Sequence, residues 1–444
     1  MNNATLATVP AAPAGILASL ALCTLLPSLA VSSANVALPI LAAGFEASFA
    51  DVQWVMLAYL LATTTLIVGA GRLGDLMGRR RLLLGGIALF TAASALCALA
   101  PTLPVLIAAR ALQGAGAAAM MALTMALVGA AVPKAQAGAA MGLLGTMSAV
   151  GTALGPSLGG VLIAAFGWPA VFVMNLPLGL VALALTRRCL PADRGQGGPA
   201  SFDLRGTAWL ALTLAAYALA MTRHMSLLAV AAAGLLMFLR TQARAASPLV
   251  RLDRLRDPVL SAGFAMNAIV SAVMMATLVV GPFHLGGTLG LGAAVVGALM
   301  SIGPVLSAFS GVPSGRLVDR FGNRPVARLG LAAMALGCAL IALLPAGLGA
   351  IGFVGPLALV TPGYALFQTA NNTAVMADVP AGQRGVVSGL LTLSRNLGLI
   401  SGASAMGAVF ASGGLVLSFA VAAGLVGLAW LLAGRLPARA LPTA

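Results

Sequence analysis

The sequence predicts an all-α polytopic membrane protein of two related six-helix bundles with two further helices between them. Of its 444 residues, 61% are hydrophobic and only 7% are charged, which is too little polar surface for a soluble protein. Fourteen apolar segments are each about 20 residues long, enough to cross a hydrocarbon core of about 30 Å as a helix. A glycine-rich signature also occurs twice, 244 residues apart (315 minus 71). We therefore expect fourteen transmembrane helices and a pseudo-two-fold relation between the bundles.

The segments divide the chain into three parts. They begin near Ile16, Val52, Leu82, Val105, Gly138, Pro169, Leu204, Met225, Val259, Leu291, Pro325, Leu348, Gly385 and Leu415. Residues 1–187 hold the first six segments and residues 259–444 hold the last six. Residues 188–258 hold a polar, Pro/Gly-rich linker and segments 7 and 8. This extra pair interrupts the repeat, and we expect it to face lipid and to keep both bundles in the same orientation.

The basic residues predict the orientation in the membrane. The chain has 24 Lys and Arg residues and a formal net charge of +15. Of these, 21 fall in even-numbered loops or the C-terminal tail, Arg223 falls in an odd-numbered loop, and Arg110 and Arg395 lie inside segments. The positive-inside rule therefore places both termini in the cytoplasm. This distribution accounts for the charge, so we expect no nucleic-acid partner.

Catalytic and metal-binding residues are scarce. The four cysteines have no spacing typical of a metal site or a disulfide framework. Only two histidines occur, His224 and His284, and no nucleophile, base and carboxylate cluster together. We expect no enzyme activity, no cofactor and no metal.

The repeated glycine-rich signature follows segments 2 and 10. Its residues are Gly71, Asp75, Gly78, Arg79 and Arg80 in the first copy, and Gly315, Asp319, Arg320, Gly322 and Arg324 in the second. We expect a loop in which the Asp75 carboxylate accepts hydrogen bonds from backbone amides at the start of the next helix. In the first copy, Leu76 stands where the second has Arg320. The arginines also fit another interpretation, a cluster of positive charge that sets topology.

Segment 4 carries a charged residue in an apolar environment. Its motif residues are Arg110, Gln113, Gly114 and Gly116. A permanently charged guanidinium at membrane depth is costly unless acceptors or water surround it, so Arg110 is a functional candidate. A structural role, with backbone carbonyls as acceptors, is the alternative.

Segment 5 carries a glycine motif around a proline. Its residues are Gly151, Gly155, Pro156, Gly159 and Gly160. The spacing gives one smooth helix face, which lets a neighbouring helix approach closely. Proline removes a backbone donor and can bend the helix, whereas the second half has Gly402 and Ala403 at the aligned positions. Ordinary small-residue packing is the alternative.

Together these motifs resemble the major facilitator superfamily. The segment Trp168, Phe172, Asn175, Pro177 and Gly179, the Asn35 to Pro39 end of segment 1 and the two extra segments resemble its fourteen-helix drug:proton antiporter branch. The resemblance implies a multidrug-type or metabolite exporter of the bacterial inner membrane that works by alternating access. It also implies that segment 5 lines the interface where the bundles rock, that the glycine-rich signature is a conformational latch, and that Arg110 and Gln113 lie near a proton path.

The acidic residues depart from that branch. None of the nine lies at mid-membrane in this segmentation, and Ala30 stands where related antiporters commonly carry an Asp. Asp51 and Asp75 are the remaining candidates for a titrating group if protons are coupled. The polar candidates for a substrate cavity are Ser32, Ser33, Asn35, Gln113, Thr124, Asn267, Tyr364, Gln368, Asn371, Asn372 and Arg395. Each fits interhelical packing equally well.

These observations favour an exporter of small neutral or anionic amphipathic molecules. A facilitator, or an anion or metabolite exporter without proton coupling, is one alternative. A transport-inactive membrane receptor or scaffold is another. We expect a monomer in a lipid bilayer, with a small-molecule substrate and protons as a possible second partner.

Overall fold

The computed structural model describes residues 14–131, 137–191, 203–245, 257–377, 379 and 384–436. Within these residues the chain is helical, and no strand occurs. The α-helices are α1 (Ala14–Gly44), α2 (Phe49–Val52), α3 (Trp54–Met77), α4 (Arg79–Ala98), α5 (Leu103–Ala131), α6 (Ala137–Phe166), α7 (Ala170–Val173), α8 (Asn175–Cys189), α9 (Leu204–Thr222), α10 (Leu227–Arg244), α11 (Pro258–Pro282), α12 (Ala293–Phe321), α13 (Asn323–Leu343), α14 (Gly349–Ala377) and α15 (Arg384–Leu432). A π-helix, Phe283–Thr288, continues α11. The predicted all-α fold is confirmed.

Thirteen helical spans among the described residues are long and apolar enough to cross a membrane. The last span, Leu390–Arg435, has 46 residues and is about 69 Å long at 1.5 Å per residue, more than twice the thickness of the hydrocarbon core. Gly414 interrupts it with a φ of 63° and a ψ of −156°, a conformation open to glycine. Counted as two crossings, this span brings the total to the fourteen predicted segments.

The glycine-rich signature was predicted as a loop, and this prediction is wrong. Residues 71–77 are the last turns of α3, and residues 315–321 are the last turns of α12. A single residue makes each turn: Gly78 with a φ of 97° and Gly322 with a φ of 86°, 244 residues apart (322 minus 78). Glycine adopts this φ without the Cβ clash that other residues meet. Gly78, rather than Asp75, is therefore the N-cap of α4.

Close glycine contacts repeat between the two halves. In the first half, a Cβ atom at Gly116 would lie 2.7 Å from the carbonyl oxygen of Gly86, where α5 crosses α4. In the second half, a Cβ atom at Gly363 would lie 2.6 Å from the carbonyl oxygen of Gly330, where α14 crosses α13. The same small residues thus allow the same close helix crossing in both bundles.

The helices alternate between two faces of the protein. We call the face where α1 begins the terminal face, and the face where α1 ends the distal face. In the first bundle α1 packs on α6, and α3 and α4 pack on α5; in the second bundle α11 packs on α15, and α12 and α13 pack on α14. The positive-inside rule predicts that the terminal face is cytoplasmic.

Helices α9 and α10 form a hairpin between the bundles. At the terminal face Asp203 accepts hydrogen bonds from the Gly206 amide at 2.8 Å and the Gln242 amide group at 2.7 Å, which joins the start of α9 to the end of α10. Helix α9 also contacts α3 of the first bundle and α15 of the second, whereas α10 packs mainly on α9. Helix α10 therefore fits the expectation of a lipid-facing pair, whereas α9 exposes part of its surface and also packs on both bundles.

Candidate transport site

Aromatic side chains join the two bundles near the distal face. Phe49 of the first bundle packs edge-on against Phe283, with ring centroids 4.5 Å apart, and against Phe410 at 5.3 Å. Such tilted geometries are favourable aromatic contacts. These three residues, which we call the distal aromatic cluster, close the space between α2, α11 and α15 at this face.

Glycines form two further contacts between the bundles. A Cβ atom at Gly160 of α6 would lie 2.5 Å from the carbonyl oxygen of Ala293 and 3.0 Å from the Cα atom of Gly297, both in α12. On the opposite seam, a Cβ atom at Gly407 of α15 would clash with the side chain of Gln53. Gly160 and Gly407 are 247 residues apart, the offset that also relates Gly155 to Gly402, so the two seams are related by the repeat. All the side-chain and glycine contacts between the bundles that we identify lie in the distal half.

The other motif glycines of α6 pack within the first bundle. A Cβ atom at Gly151 would lie 2.6 Å from the carbonyl oxygen of Leu25, and one at Gly155 would overlap the Ser32 hydroxyl. A Cβ atom at Gly159 would lie 3.1 Å from that of Ser33. Gly151, Gly155 and Gly159 therefore set the α1–α6 contact, and Gly160 alone of these four faces the other bundle. Helix α6 continues through Pro156 without interruption.

Arg110 is fully buried in the first bundle. Its Nε donates to the carbonyl oxygen of Val55 at 2.9 Å, and its Nη1 donates to the Gln113 side-chain oxygen. The Gln113 amide in turn donates to the Ser94 hydroxyl at 2.7 Å. The guanidinium also lies 4.3 Å from the centre of the Tyr59 ring, a cation–π contact. No carboxylate contacts it among the described residues.

Four of the predicted cavity residues instead use their polar groups within one bundle. The Ser32 hydroxyl donates to the Gly151 carbonyl at 3.0 Å, which links α1 to α6. The Asn267 amide donates to the Leu391 carbonyl and to the Ser394 hydroxyl, both at 2.8 Å. Asn371 donates to the Gly263 carbonyl at 3.3 Å, and Thr124 bonds the backbone of its own helix. Interhelical or local packing accounts for these contacts, but the side-chain oxygens of Asn267 and Asn371 are buried without a hydrogen-bond partner.

Other predicted cavity residues have buried polar atoms without a hydrogen-bond partner. These atoms are the Ser33 hydroxyl, both amide atoms of Asn35, the side-chain oxygens of Gln368 and Asn372, and Nε of Arg395. Arg395 of α15 lies near Tyr364 of α14. Buried polar groups of this kind are normally paired, so they are the best candidates for groups that bind substrate or water.

The acidic residues lie at helix ends throughout the described part of the chain. Glu46 follows α1, Asp51 lies in α2, and Asp319 is exposed near the end of α12. Asp51 accepts a hydrogen bond from the Ser48 hydroxyl at 2.6 Å and forms an ion pair with Arg223, the one arginine predicted in an odd-numbered loop. The side chain of Asp75 lies outside the described residues, as do Asp193, Asp253 and Asp378. No group of three metal-ligating side chains occurs among the described residues.

The basic residues of the repeated signature brace the terminal face. Arg79 and Arg80 donate to carbonyl oxygens of α5 and α8, the Arg80 bond to Arg187 being 2.6 Å long. In the second bundle the Arg328 guanidinium stacks 4.6 Å from the Trp430 ring centre, and Arg324 and Arg328 both approach Gly434. Arg320 lies 5.2 Å from the ring centre of Phe321. The arginines thus link helix ends within each bundle.

Sequence reasoning missed the distal aromatic cluster and the role of Gly407. A signal for Gly407 was available, because it aligns with Gly160 at the offset of the repeat. For the aromatic cluster, the available signal was that Phe49, Phe283 and Phe410 all fall where predicted segments begin or end on the same face. Aromatic residues are only 5% of the chain, so such a coincidence carries information.

Comparison with known proteins identifies the family. The sequence matches the model of the Major Facilitator Superfamily over residues 20–403 and again over residues 274–443. The chain belongs to the major facilitator superfamily. A relative in this superfamily, the uncharacterized transporter YebQ of Escherichia coli, is 31% identical over 380 residues, covering 84% of this chain and 83% of the relative. The multidrug efflux pump LfrA of Mycolicibacterium smegmatis is 31% identical over 406 residues, covering 89% and 80%.

The fold agrees with the superfamily. A crystal structure of a D-xylose–proton symporter superposes with a TM-score of 0.70 at 16% identity, over 96% of this chain and 98% of the other. At this identity the match supports the fold alone. The chain is therefore a multi-pass membrane transporter of the major facilitator superfamily rather than an enzyme, and its fold is consistent with alternating access.

Proposed function

We propose that this transporter exports small amphipathic organic molecules, neutral or anionic, across the inner membrane by alternating access. Arg395 carries the proposal. It lies in an apolar helix with its Nε buried and unpaired, beside Tyr364, and no carboxylate neutralises it among the described residues. A partly buried guanidinium whose Nε is buried and unpaired requires an acceptor or water. An anionic or carbonyl-rich substrate supplies that acceptor.

Neutral polar residues of α14 favour the same class of substrate. Gln368 and Asn372 follow Tyr364 along α14, and each has an unpaired side-chain oxygen. Amide groups bind hydroxyl, amide and carbonyl groups of a ligand without requiring a charge. The first bundle offers Ser33 and Asn35 in the same state. A site with one cation, several amides and no carboxylate disfavours multivalent cations.

Three features support export. The basic loops predict that the terminal face is cytoplasmic, and the distal aromatic cluster closes the opposite face. A state closed at the distal face takes its substrate from the cytoplasm. The similarity to a multidrug efflux pump fits the same direction. On this proposal the distal contacts of Gly160 and Gly407 break when the site opens outward.

The test is efflux from proteoliposomes with three amphipathic fluorophores matched in size, one anionic, one neutral and one cationic. We expect Arg395→Gln to lower efflux of the anionic dye about tenfold, the loss of one charge-assisted hydrogen bond of roughly 1.5 kcal/mol. Arg395→Lys keeps the charge and should retain part of that activity. The neutral dye should change less.

Arg328→Gln is the matched control, because it removes one positive charge from the same bundle at a residue that stacks on Trp430. It should leave the preference among the dyes unchanged. A wild-type protein that moves the cationic dye fastest, or an Arg395→Gln variant that loses all three dyes equally, would contradict the proposed substrate class.

A second candidate function is export or facilitated diffusion without proton coupling. The observation that favours it is the lack of any Asp or Glu in the middle of a described helix. A buried carboxylate is the usual proton carrier in such proteins. Dependence of efflux on an imposed pH gradient separates this candidate from proton-coupled export.

A further inference from the structure

A groove runs along the outside of the first bundle, where α9 packs against it. Two adjoining cavities form it, with volumes of about 570 Å³ and 480 Å³. They share four lining residues, Trp54, Pro104, Ile107 and Ala215, which come from α3, α5 and α9. The groove therefore lies apart from the polar residues proposed to bind substrate.

The deep part of the groove is apolar and opens toward lipid. Small side chains make its floor, among them Ala62, Ala111 and Ala211. The next residues along two of the helices, Leu112 and Leu212, are both 45% exposed. On a membrane-spanning protein an exposed leucine in a helix contacts acyl chains, so the mouth of the groove faces the bilayer.

The distal end of the groove is charged. Glu46, Asp51 and Arg223 line it, and Asp51 pairs with Arg223. Glu46 is exposed, and its side chain forms no ion pair or hydrogen bond within the described part of the chain. It is also the one described non-glycine residue with a positive φ, 50°, at the C-terminal end of α1. Glycine is the usual residue at such a position. The Glu46 backbone is therefore strained, and strained residues are often found at functional sites.

The groove has the length of an acyl chain. Asp51 at its charged end and Thr65 at its apolar end are fourteen residues apart (65 minus 51), about 21 Å along a helix. One leaflet contributes about 15 Å of hydrocarbon, and a headgroup occupies the remainder. Trp54 lies between the two parts, with its indole N–H donating to the Thr222 hydroxyl at 3.2 Å. Tryptophan is typical of the boundary between headgroups and acyl chains.

We propose that this groove binds one zwitterionic phospholipid with an amine headgroup, in the leaflet at the distal face. The lipid ammonium contacts the Glu46 carboxylate, which has no partner among the described residues. The phosphate contacts Arg223, which has five N–H donors and does not use all of them on Asp51. An acyl chain follows α3, α5 and α9. Two carboxylates and one guanidinium give the charged end a net negative charge, which disfavours an anionic headgroup.

A lipid in this groove would strengthen the contact between α9 and the first bundle. Helix α9 contacts both bundles. Among the described residues, its C-terminal end makes two polar contacts with the first bundle, the Arg223–Asp51 ion pair and the Thr222–Trp54 hydrogen bond. A bound lipid adds apolar contact along this seam. It therefore holds the hairpin against the first bundle while the second bundle moves.

The experiment is native mass spectrometry of the full-length protein, delipidated in detergent and incubated with phosphatidylethanolamine or phosphatidylglycerol at equal concentrations. We expect one phosphatidylethanolamine to be retained in preference to phosphatidylglycerol. Glu46→Gln should lower its retention about tenfold, because a charge-assisted hydrogen bond is lost. Ala111→Leu should lower retention of both lipids, because the added atoms fill the floor of the groove.

Ala92→Leu is the control, since Ala92 is an exposed alanine of α4 away from the groove, and it should retain lipid as the wild type does. Glu46 is exposed, so its variant tests the headgroup contact even if Ala111→Leu folds poorly. Equal retention of the two lipids by the wild type overturns the proposed headgroup. Unchanged phosphatidylethanolamine retention in Glu46→Gln overturns it as well. Unchanged retention of both lipids in a folded Ala111→Leu variant overturns the groove as the site.

Discussion

The two bundles share their close glycine contacts between helices and differ in their buried side chains. Gly86 and Gly116 make the same helix crossing in the first bundle that Gly330 and Gly363 make in the second. The glycines of α6 likewise have counterparts in α15: Gly398 and Gly402 approach carbonyl oxygens of α11, as Gly151 and Gly155 approach α1. Small residues at helix contacts are thus the part of the architecture that both bundles retain.

The buried arginine network of the first bundle has no counterpart at the related positions of the second. In the first bundle, Arg110, Gln113 and Ser94 form a buried hydrogen-bond network. The positions related to these three by the repeat in the second bundle are Leu357, Val360 and Cys338, all buried. A bundle of the same architecture therefore packs without the network.

This difference bears on the role of Arg110. Replacing a buried charged group by well-packed apolar residues is often neutral or stabilising for folding. In the second bundle, apolar residues fill the positions related to Arg110, Gln113 and Ser94. If stability were the sole requirement, apolar residues would serve in the first bundle as well. The comparison therefore favours a role for Arg110 in transport over a purely structural role.

The largest effect is expected when the first bundle is given the interior of the second. The variant Arg110→Leu, Gln113→Val, Ser94→Cys should fold and insert with a melting temperature close to that of the wild type. It should lose transport by at least about tenfold, or 1.4 kcal/mol in the rate-limiting barrier. Thermal unfolding in detergent and efflux from proteoliposomes measure the two quantities.

Single substitutions are the controls for this variant. Arg110→Leu alone leaves the Gln113 side-chain oxygen without its donor, a cost of about 1–3 kcal/mol for a buried group. It should be less stable than the triple variant. Arg110→Lys should also lose transport, because lysine lacks the fork geometry. A triple variant with full transport would reduce Arg110 to a dispensable strut.

An intermediate effect is expected at the two seams between the bundles. Gly160→Val places atoms against the carbonyl oxygen of Ala293 and should separate α6 from α12 at the distal face. A cysteine at Val296, which is 3% exposed beside this seam, should then react severalfold faster with a membrane-impermeant reagent added at the distal face. Transport should slow while folding is largely kept.

Gly145→Val is the matched control on the same helix, since no atom lies within 4 Å of a Cβ atom at Gly145. Cys189, the one native cysteine that is not buried, is replaced by serine in both proteins. Equal labelling of the Val296 cysteine in the two variants would argue against Gly160 as a contact on which closure of the distal face depends.

Much of the fold was predictable because the bilayer imposes a simple rule. A lipid-exposed backbone must satisfy its own hydrogen bonds, so apolar segments become helices, and the predicted starts lie within three residues of the observed ones, as with Val52 and Phe49. The same rule explains the wrong prediction of a loop at Gly71 and Gly315. Glycine costs a helix about 1 kcal/mol per residue, and in the membrane this is too little to end it.

The site was less predictable because its contacts depend on distant parts of the chain. Asn267 was identified as a polar residue in an apolar segment, but its partner is the carbonyl of Leu391, 124 residues away. Nothing in the local sequence specifies how the two helices are rotated against each other. For the same reason, sequence alone could not distinguish Ser32, which bonds to α6, from Ser33, whose hydroxyl has no partner.

The smallest effect on efflux is expected from a pH gradient, because the two bundles are alike in the placement of their carboxylates. Neither has a carboxylate in the middle of a described helix. The guanidinium groups of Arg110 and Arg395 do not release protons near neutral pH. Asp51 is held by Ser48 and Arg223, which stabilise its charged form. The remaining candidates are Asp75 and His284, whose ring lies 5.9 Å from that of Phe353.

We therefore expect efflux from proteoliposomes to change by less than about twofold when a pH gradient is imposed, collapsed or reversed. The reason is that no described group has an environment suited to carry a proton across the membrane. An internal pH dye records proton counterflow in the same vesicles. Strict dependence on the gradient, with counterflow coupled to substrate, would restore proton antiport. In that case Asp51→Asn, Asp75→Asn and His284→Gln identify the carrier as the variant that abolishes counterflow while substrate exchange at equal pH continues. Such a carrier would lie at a helix end of one bundle. Proton coupling would then differ between the two halves, as the buried arginine network and the proline of α6 already do.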